Sequence, residues 1–204
     1  MDFFSADNLE RADSIVRWVT TTLDVACDIY SERQLMTTFA PQLTCYAFNC
    51  NFLRKQFRDV PSDRVDEIPF EGAKAPRWVA GHLAEGQYFL ASFLGVDSEF
   101  PETWLAAFAP GTPSTSPYGL EDESNLPSVD ELLDYISATE QPIVEAAKTV
   151  TVESLSEPHG LEILSGTGID TKADLVAHLM TTHFAFHAGQ LSLWRRAIDV
   201  QPLF

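Results

Sequence analysis

The chain has 204 residues and a formal net charge of −17, and 45% of its residues are hydrophobic. This length and composition predict one folded domain over residues 1–204 and exclude a disordered chain. Because the excess of Asp and Glu repels phosphate groups, nucleic acid and anionic lipid surfaces are excluded as expected partners. The sequence also lacks a long apolar run and an N-terminal signal peptide, so we expect a cytoplasmic protein without membrane association.

The first half of the chain contains three stretches in which apolar residues follow a helical spacing. The pattern predicts a helix over Asn8–Tyr30. A second stretch covers Leu35–Phe57, in which Pro41 must lie either at a kink or in a first helical turn, so we expect the helix proper to begin near residue 40. A third stretch opens at Ala75–Pro76 and runs to about Gly95.

The second half of the chain alternates loops and helices. Residues 109–128 are rich in Pro, Gly, Ser and Thr and predict a long loop that borders a site. A capping box opens a helix over Ser128–Lys148, and a polar loop follows over Val150–Asp170. A second capping motif opens the last helix, over Thr171–Asp199. No stretch has a strand pattern, so the sequence predicts an all-α fold in which four or five helices form a bundle.

Three of the five histidines lie on apolar helix faces. His183 and His187 are four residues apart, so both side chains leave the same face of the last helix. His82 lies on the apolar side of the third stretch. Because facing helices of a bundle bring such positions together, we expect the three imidazoles to meet in the core. Three neutral imidazoles bind one divalent metal ion and leave a coordination position open, as catalytic sites do.

Two segments around these histidines carry a family resemblance. Residues 78–85 read WVAGHLAE, and residues 183–196 read HFAFHAGQLSLWRR. Both resemble the DinB/YfiT-like four-helix bundles, in which one histidine on the second bundle helix and an HxxxH followed by GQ on the last helix hold a divalent metal. The resemblance assigns residues 31–204 to such a bundle, with residues 1–30 as an extra N-terminal helical segment. One departure is Ala188, where relatives often have arginine.

The resemblance implies that His82, His183 and His187 are metal ligands, with zinc or nickel as the first choices and iron, manganese or cobalt as further ones. Some members resemble transferases that use low-molecular-weight thiols. The implied function is therefore a metal-dependent enzyme for a small-molecule substrate, with a thiol as co-substrate and an electrophile as its target. In such an enzyme the metal lowers the pKa of the thiol, and the thiolate attacks an electrophilic carbon. Water in the same position would instead give a hydrolase.

For the other polar residues, the sequence predicts at most a supporting role at the histidine site. Glu85 lies one turn after His82 and Gln190 nearly one turn after His187, so each could hold a ligand ring or contact a substrate. A solvated Glu85 and a Gln190 that only packs between helices are the alternatives. His178 is predicted to lie off the face that carries the site. The three cysteines form no paired framework, so we predict buried free thiols at Cys27, Cys45 and Cys50.

A second class of function stays open. The histidines could bind a structural metal, or form only hydrogen bonds, in a non-catalytic bundle that uses an exposed helix face for self-association. A homodimer is compatible with either class, because twofold dimers are the commonest oligomers. A di-iron carboxylate site is excluded, since positions that its Glu-x-x-His motif would need hold Met180 and Phe184.

Overall fold

The computed structural model describes residues 39–114, 118–120 and 122–203. Apart from one isolated bridge between Pro158 and Thr171, these residues form helices and loops, so this part of the chain is all-helical, as predicted. The predicted helix Asn8–Tyr30 and Cys27 lie outside the described residues. The longer helical segments, in chain order, are α1 Ala40–Phe57, α2 Pro76–Phe93, α3 Glu102–Phe108, α4 Val129–Thr149, α5 Lys172–His178, a π-helical turn Leu179–His183, and α6 Phe184–Ala197.

Helix α2 lies at the centre of the packing. It contacts α3, α4 and α5 as well as the π turn and α6, while α1 packs against α4, the π turn and α6. Buried apolar side chains from these helices form one cluster, including Leu53, Leu83, Leu90, Ile136 and Met180. Burial of a side chain of this size is worth roughly 1.5–3 kcal/mol, so the cluster fixes the helices that carry the histidines relative to one another. No helix among the described residues is long and apolar enough to cross a membrane.

The helix starts agree with the signals in the sequence. Pro41 and Pro76 lie in the first turns of α1 and α2, where the backbone N–H that proline lacks has no helical partner. At the start of α4, the Ser128 side chain accepts a hydrogen bond from the Glu131 N–H, and the Glu131 carboxylate accepts one from the Ser128 N–H. A second capping box of the same kind opens α5. Both predicted capping boxes are therefore confirmed.

Helix α3 has no counterpart in the prediction from the sequence. Its seven residues are too few for an apolar period to stand out, and its one signal is Pro101 followed by the acidic Glu102. Phe108 at its end is fully buried. A Cβ atom at Gly81 of α2 would overlap the Phe108 ring. The glycine therefore lets α3 approach α2 closely.

The last helix is interrupted by the π turn, where the sequence predicts a continuous α-helix. A π turn holds more residues than an α turn, so the regular pattern of backbone hydrogen bonds is broken there. The buried Asn49 of α1 donates from Nδ2 to the carbonyl oxygens of Met180, at 3.1 Å, and Thr181, at 3.3 Å. This amide stabilises the turn from the neighbouring helix and so supports His183, which ends it.

The two described cysteines differ in exposure. Cys50 is buried, as predicted, and burial raises the pKa of its thiol to about 12. Cys45 is exposed, so the prediction of a buried thiol is wrong there. Five residues along an α-helix correspond to a rotation of about 140°, which places the two side chains on different sides of α1.

Candidate metal centre

The three predicted histidines meet in the structure, although they come from distant parts of the chain. His82 lies in the middle of α2, His183 ends the π turn, and His187 lies in the first turn of α6. Their ring centroids are 4.7 to 5.1 Å apart. One ring nitrogen from each histidine lies within 4.8 Å of those of the other two. This grouping could hold a metal ion.

The spacing of the nitrogens fits one small divalent ion. Nε2 of His82 and Nε2 of His183 are 3.2 Å apart. Two nitrogens that bind zinc at about 2.0–2.1 Å in a tetrahedron lie about 3.3 Å from each other. This pair therefore has nearly the separation of two ligands, and a nitrogen of the third imidazole lies within 4.8 Å of both. Imidazole suits zinc, nickel, copper and iron alike, so the donor set fits a divalent metal without selecting one.

Hydrogen bonds on the outer side of the rings direct the remaining nitrogens inward. Nδ1 of His82 donates to the Phe108 carbonyl oxygen at 2.8 Å and lies 2.9 Å from Oε2 of Glu85. Nδ1 of His187 donates to Oε1 of Gln190 at 2.8 Å. A neutral imidazole with its proton on Nδ1 keeps a lone pair on Nε2. Glu85 thus contacts His82, and Gln190 contacts His187, as the spacing in the sequence predicts.

Burial keeps two of the histidines in the form that a metal requires. Loss of hydration, followed by the nearby histidines, lowers the pKa of His183 to about 2. Loss of hydration also lowers the pKa of His187 to about 4. Both side chains are therefore neutral near pH 7, and neutral imidazole is the ligating species. Burial raises the pKa of Glu85, whereas its hydrogen bond to His82 acts in the opposite direction.

Close packing holds the cluster in place. The Trp78 indole stacks on the His82 ring with centroids 4.7 Å apart and an interplanar angle of 18°. The Trp78 Nε1–H donates to Oγ1 of Thr112 at 2.9 Å. At Gly86, one turn after His82, a Cβ atom would lie only 3.1 Å from Cε1 of His183. The absence of a side chain at Gly86 therefore lets the π turn approach α2.

A cavity of about 540 Å³ opens on one side of the cluster. All three histidines line it, and its apolar lining comes from α2, the loop between α4 and α5, α5, the π turn and α6. The loop 109–128, expected to border the site, contributes only Pro110 among the described lining residues. The larger share comes from the other predicted loop, which supplies Leu161, Ile163 and Leu164.

His178 also lines this cavity, so the prediction that it lies off the site face is wrong. Its ring centroid is 5.6 Å from that of His183, and its Nδ1 is 2.6 Å from Oγ1 of Thr182. Residues five apart in an α-helix point about 140° apart. The wider π turn between the two histidines reduces this angle. A helical wheel with a constant α period could not have found His178.

Comparison with known proteins identifies a similar fold but no related activity. No family model matches the sequence, and no curated protein matches it. A crystal structure of a conserved protein from Enterococcus faecalis is similar, with a TM-score of 0.57 and 16% identity, and the match covers 81% of this chain and 99% of that chain. At this identity the similarity shows the fold alone. The chain is thus an all-helical protein, over its described residues, with a three-histidine cluster that is compatible with metal binding.

Proposed function

We propose that this chain is a metal-dependent enzyme of the DinB/YfiT-like class, built on the four-helix bundle of that class. In this proposal His82, His183 and His187 bind one divalent ion, with zinc or nickel as the first choices. The observation that carries the proposal is the convergence of three inward ring nitrogens beside a cavity. A structural zinc site is normally closed by four protein ligands, whereas three ligands beside a cavity are typical of catalysis.

A bound divalent ion would act as a Lewis acid and lower the pKa of a thiol or water molecule in its open position. The protein residues prepare that position. Glu85 and the Phe108 carbonyl fix the ring of His82, and Gln190 fixes that of His187, so that Nε2 of each faces the cluster. The apolar walls limit the access of bulk water to the reacting atoms.

The reaction that we favour is transfer of a thiol sulfur to an electrophilic carbon of a small molecule. The S–C bond forms as the thiol proton is lost. In an addition the electrophile accepts that proton, whereas in a substitution the bond from carbon to the leaving group breaks, the leaving group keeps the bonding electrons, and the proton passes to it or to solvent. Two features support a transferase over a hydrolase: the resemblance around the histidines, and a cavity large enough to hold an organic substrate beside them.

The first experiment measures metal in the purified full-length protein. We expect an equimolar divalent metal by elemental analysis, and its loss from the double variant His183→Ala, His187→Ala. His159→Ala is the control, because His159 is not part of the cluster and its ring bonds to backbone groups of Ile169 and Leu161. Equal metal content in the double variant and the unaltered protein would contradict the ligand assignment.

The second experiment measures turnover. Consumption of a thiol with an electrophile should require the metal, stop with a chelator and return when zinc or nickel is added. Retention of helical circular dichroism in the chelated protein would separate loss of chemistry from loss of fold. A protein that unfolds on chelation and shows no metal-dependent turnover would instead support the structural role.

A further inference from the structure

We propose that the cavity beside the histidines selects an uncharged molecule with an apolar body, whose one polar end faces the cluster. This inference names the substrate class of the site and rests on the proposed function only for the chemistry at that end. The cavity volume of about 540 Å³ lies within the range of small-molecule sites, roughly 300–1,000 Å³.

The walls of the cavity carry unusually exposed apolar side chains. Ile163 is 69% exposed, Phe186 is 65% exposed, and Leu161 and Phe89 are about 40% exposed. All four line this one cavity. Large apolar residues that gather at an opening, rather than lying singly over the surface, indicate a ligand or partner site. An apolar molecule that enters the cavity would therefore bury these exposed apolar side chains.

Away from the histidines, the described lining of the cavity offers no cationic partner to an anionic group on the body of an occupant. Its described lining residues include no Lys or Arg, and the one carboxylate among them is Glu85, which faces His82. An anionic group on the body of a ligand would lose its hydration without gaining a partner, which is strongly unfavourable. A thiol with several carboxylates consequently fits the cavity poorly, whereas a neutral apolar electrophile fits it well.

The wall between α4 and α5 is held in place by hydrogen bonds. Nδ1 of His159 accepts from the Leu161 N–H at 2.9 Å, so Nε2 carries the proton that it donates to the Ile169 carbonyl at 2.8 Å. At the base of this loop, the Lys172 N–H donates to the Glu157 carbonyl at 2.8 Å. A loop closed in this way presents Leu161, Ile163 and Leu164 as a defined surface. The cavity is thus formed before a ligand arrives.

The test compares two dyes that differ by one charged group. N-phenylnaphthylamine is neutral, and anilinonaphthalene sulfonate carries a sulfonate on the same rings. Full-length protein, both as purified and after chelation of its metal, is titrated with each dye, and binding is followed by the fluorescence of the dye. High salt screens the overall charge of the protein. We expect the neutral dye to bind at least about tenfold more tightly than the anionic dye to the chelated protein.

Variants locate the site. Ile163→Asp places a charge in the wall and should weaken binding of the neutral dye by about tenfold or more. Val152→Asp is the matched control, because Val152 is an exposed apolar residue of the same loop that does not line the cavity. Metal content is measured in both variants and should be unchanged, since neither residue belongs to the histidine cluster.

Three outcomes would overturn the inference: equal affinity for the two dyes, equal loss of binding in both variants, or no binding of the neutral dye. Self-association of the unaltered protein that Ile163→Asp abolishes, seen by sedimentation, would also overturn it by assigning the surface to a second copy. Metal bound without dye selectivity would reject only this inference. Dye selectivity without bound metal would reject only the proposed function.

Discussion

Glu85 allows the proposed metal site to be tested without removal of a proposed ligand. Its side chain is nearly fully buried, with Oε2 2.9 Å from Nδ1 of His82. A carboxylate in this position orients the imidazole and increases the basicity of its other nitrogen. We expect Glu85→Gln to weaken metal binding about 10- to 100-fold, measured by competition with a chromophoric chelator, while the helical circular dichroism stays the same.

The control for this variant is Glu145→Gln. Glu145 is exposed on α4 and contacts Gln141 and Lys148, far from the histidines in the fold. Its replacement removes the same charge and should leave the affinity unchanged. If both variants bind metal as tightly as the unaltered protein, Glu85 does not tune His82.

At the level of single residues, the sequence was informative where the contacts are local. Glu85 and Gln190 could be paired with their histidines because each pair lies within one α-helical turn. The Phe108 carbonyl could not be found, since it is a backbone group brought to His82 by tertiary packing. His178 was missed for a different reason, namely the change of helical period between it and His183.

The π turn leads to a prediction about Asn49. Asn49→Leu keeps a similar side-chain volume but removes the donor to the Met180 and Thr181 carbonyls. Buried carbonyls without a partner cost about 1–3 kcal/mol, so the free energy of unfolding should fall by this amount in chemical denaturation. Because His183 ends the same turn, metal affinity should fall as well.

Asn51→Leu serves as the control on the same helix. Asn51 is exposed, and its side chain bonds only within α1, to the Ala47 carbonyl and to Arg54. We expect a change within about 0.5 kcal/mol for a surface position of this kind. A similar loss of stability in both variants would mean that Asn49 has no special role at the turn.

The helices could be predicted where short local sequence motifs mark their ends. Capping boxes and first-turn prolines located the starts of α1, α2, α4 and α5. Helix α3 was not predicted, because seven residues do not develop a period. The π turn was not predicted either, since its hydrogen-bond partner Asn49 is about 130 residues away in the chain.

At the scale of the whole molecule, acid should destabilise the metal-free protein. Burial keeps the folded-state pKa of His183 at about 2 and that of His187 at about 4, whereas the unfolded chain has the ordinary value of about 6.5. The unfolded state therefore binds protons first. The free energy of unfolding should fall as the pH decreases from about 6.5 towards 4, and this contribution is fully present above 6.5.

Denaturation in the presence of a chelator, at neutral pH and at about pH 5, measures this loss. The double variant His183→Gln, His187→Gln lacks both groups and keeps the other ionisable residues. Its stability should depend less steeply on pH over the same interval. Identical pH dependence in the two proteins would show that these histidines ionise equally well in the folded and unfolded states.

The all-helical class of the described residues followed from the sequence, because no stretch has a strand pattern and four stretches have helical periods. The position of the cavity could not be predicted from the sequence. Leu161 and Ile163 lie in a polar, glycine-containing loop, and nothing in their local sequence relates them to histidines on α2 and α6. Such a surface exists only after the loop is closed between α4 and α5.

The stacking of Trp78 on His82 has a practical consequence. A paramagnetic ion at the proposed site should quench the emission of the indole that stacks on the His82 ring, so Trp78 is the expected optical reporter of its occupancy. The chain has four tryptophans, and subtraction of the Trp78→Phe signal isolates the one at the cluster. Loading and release of nickel or cobalt can then be followed in real time without a label, which gives rate constants as well as an equilibrium.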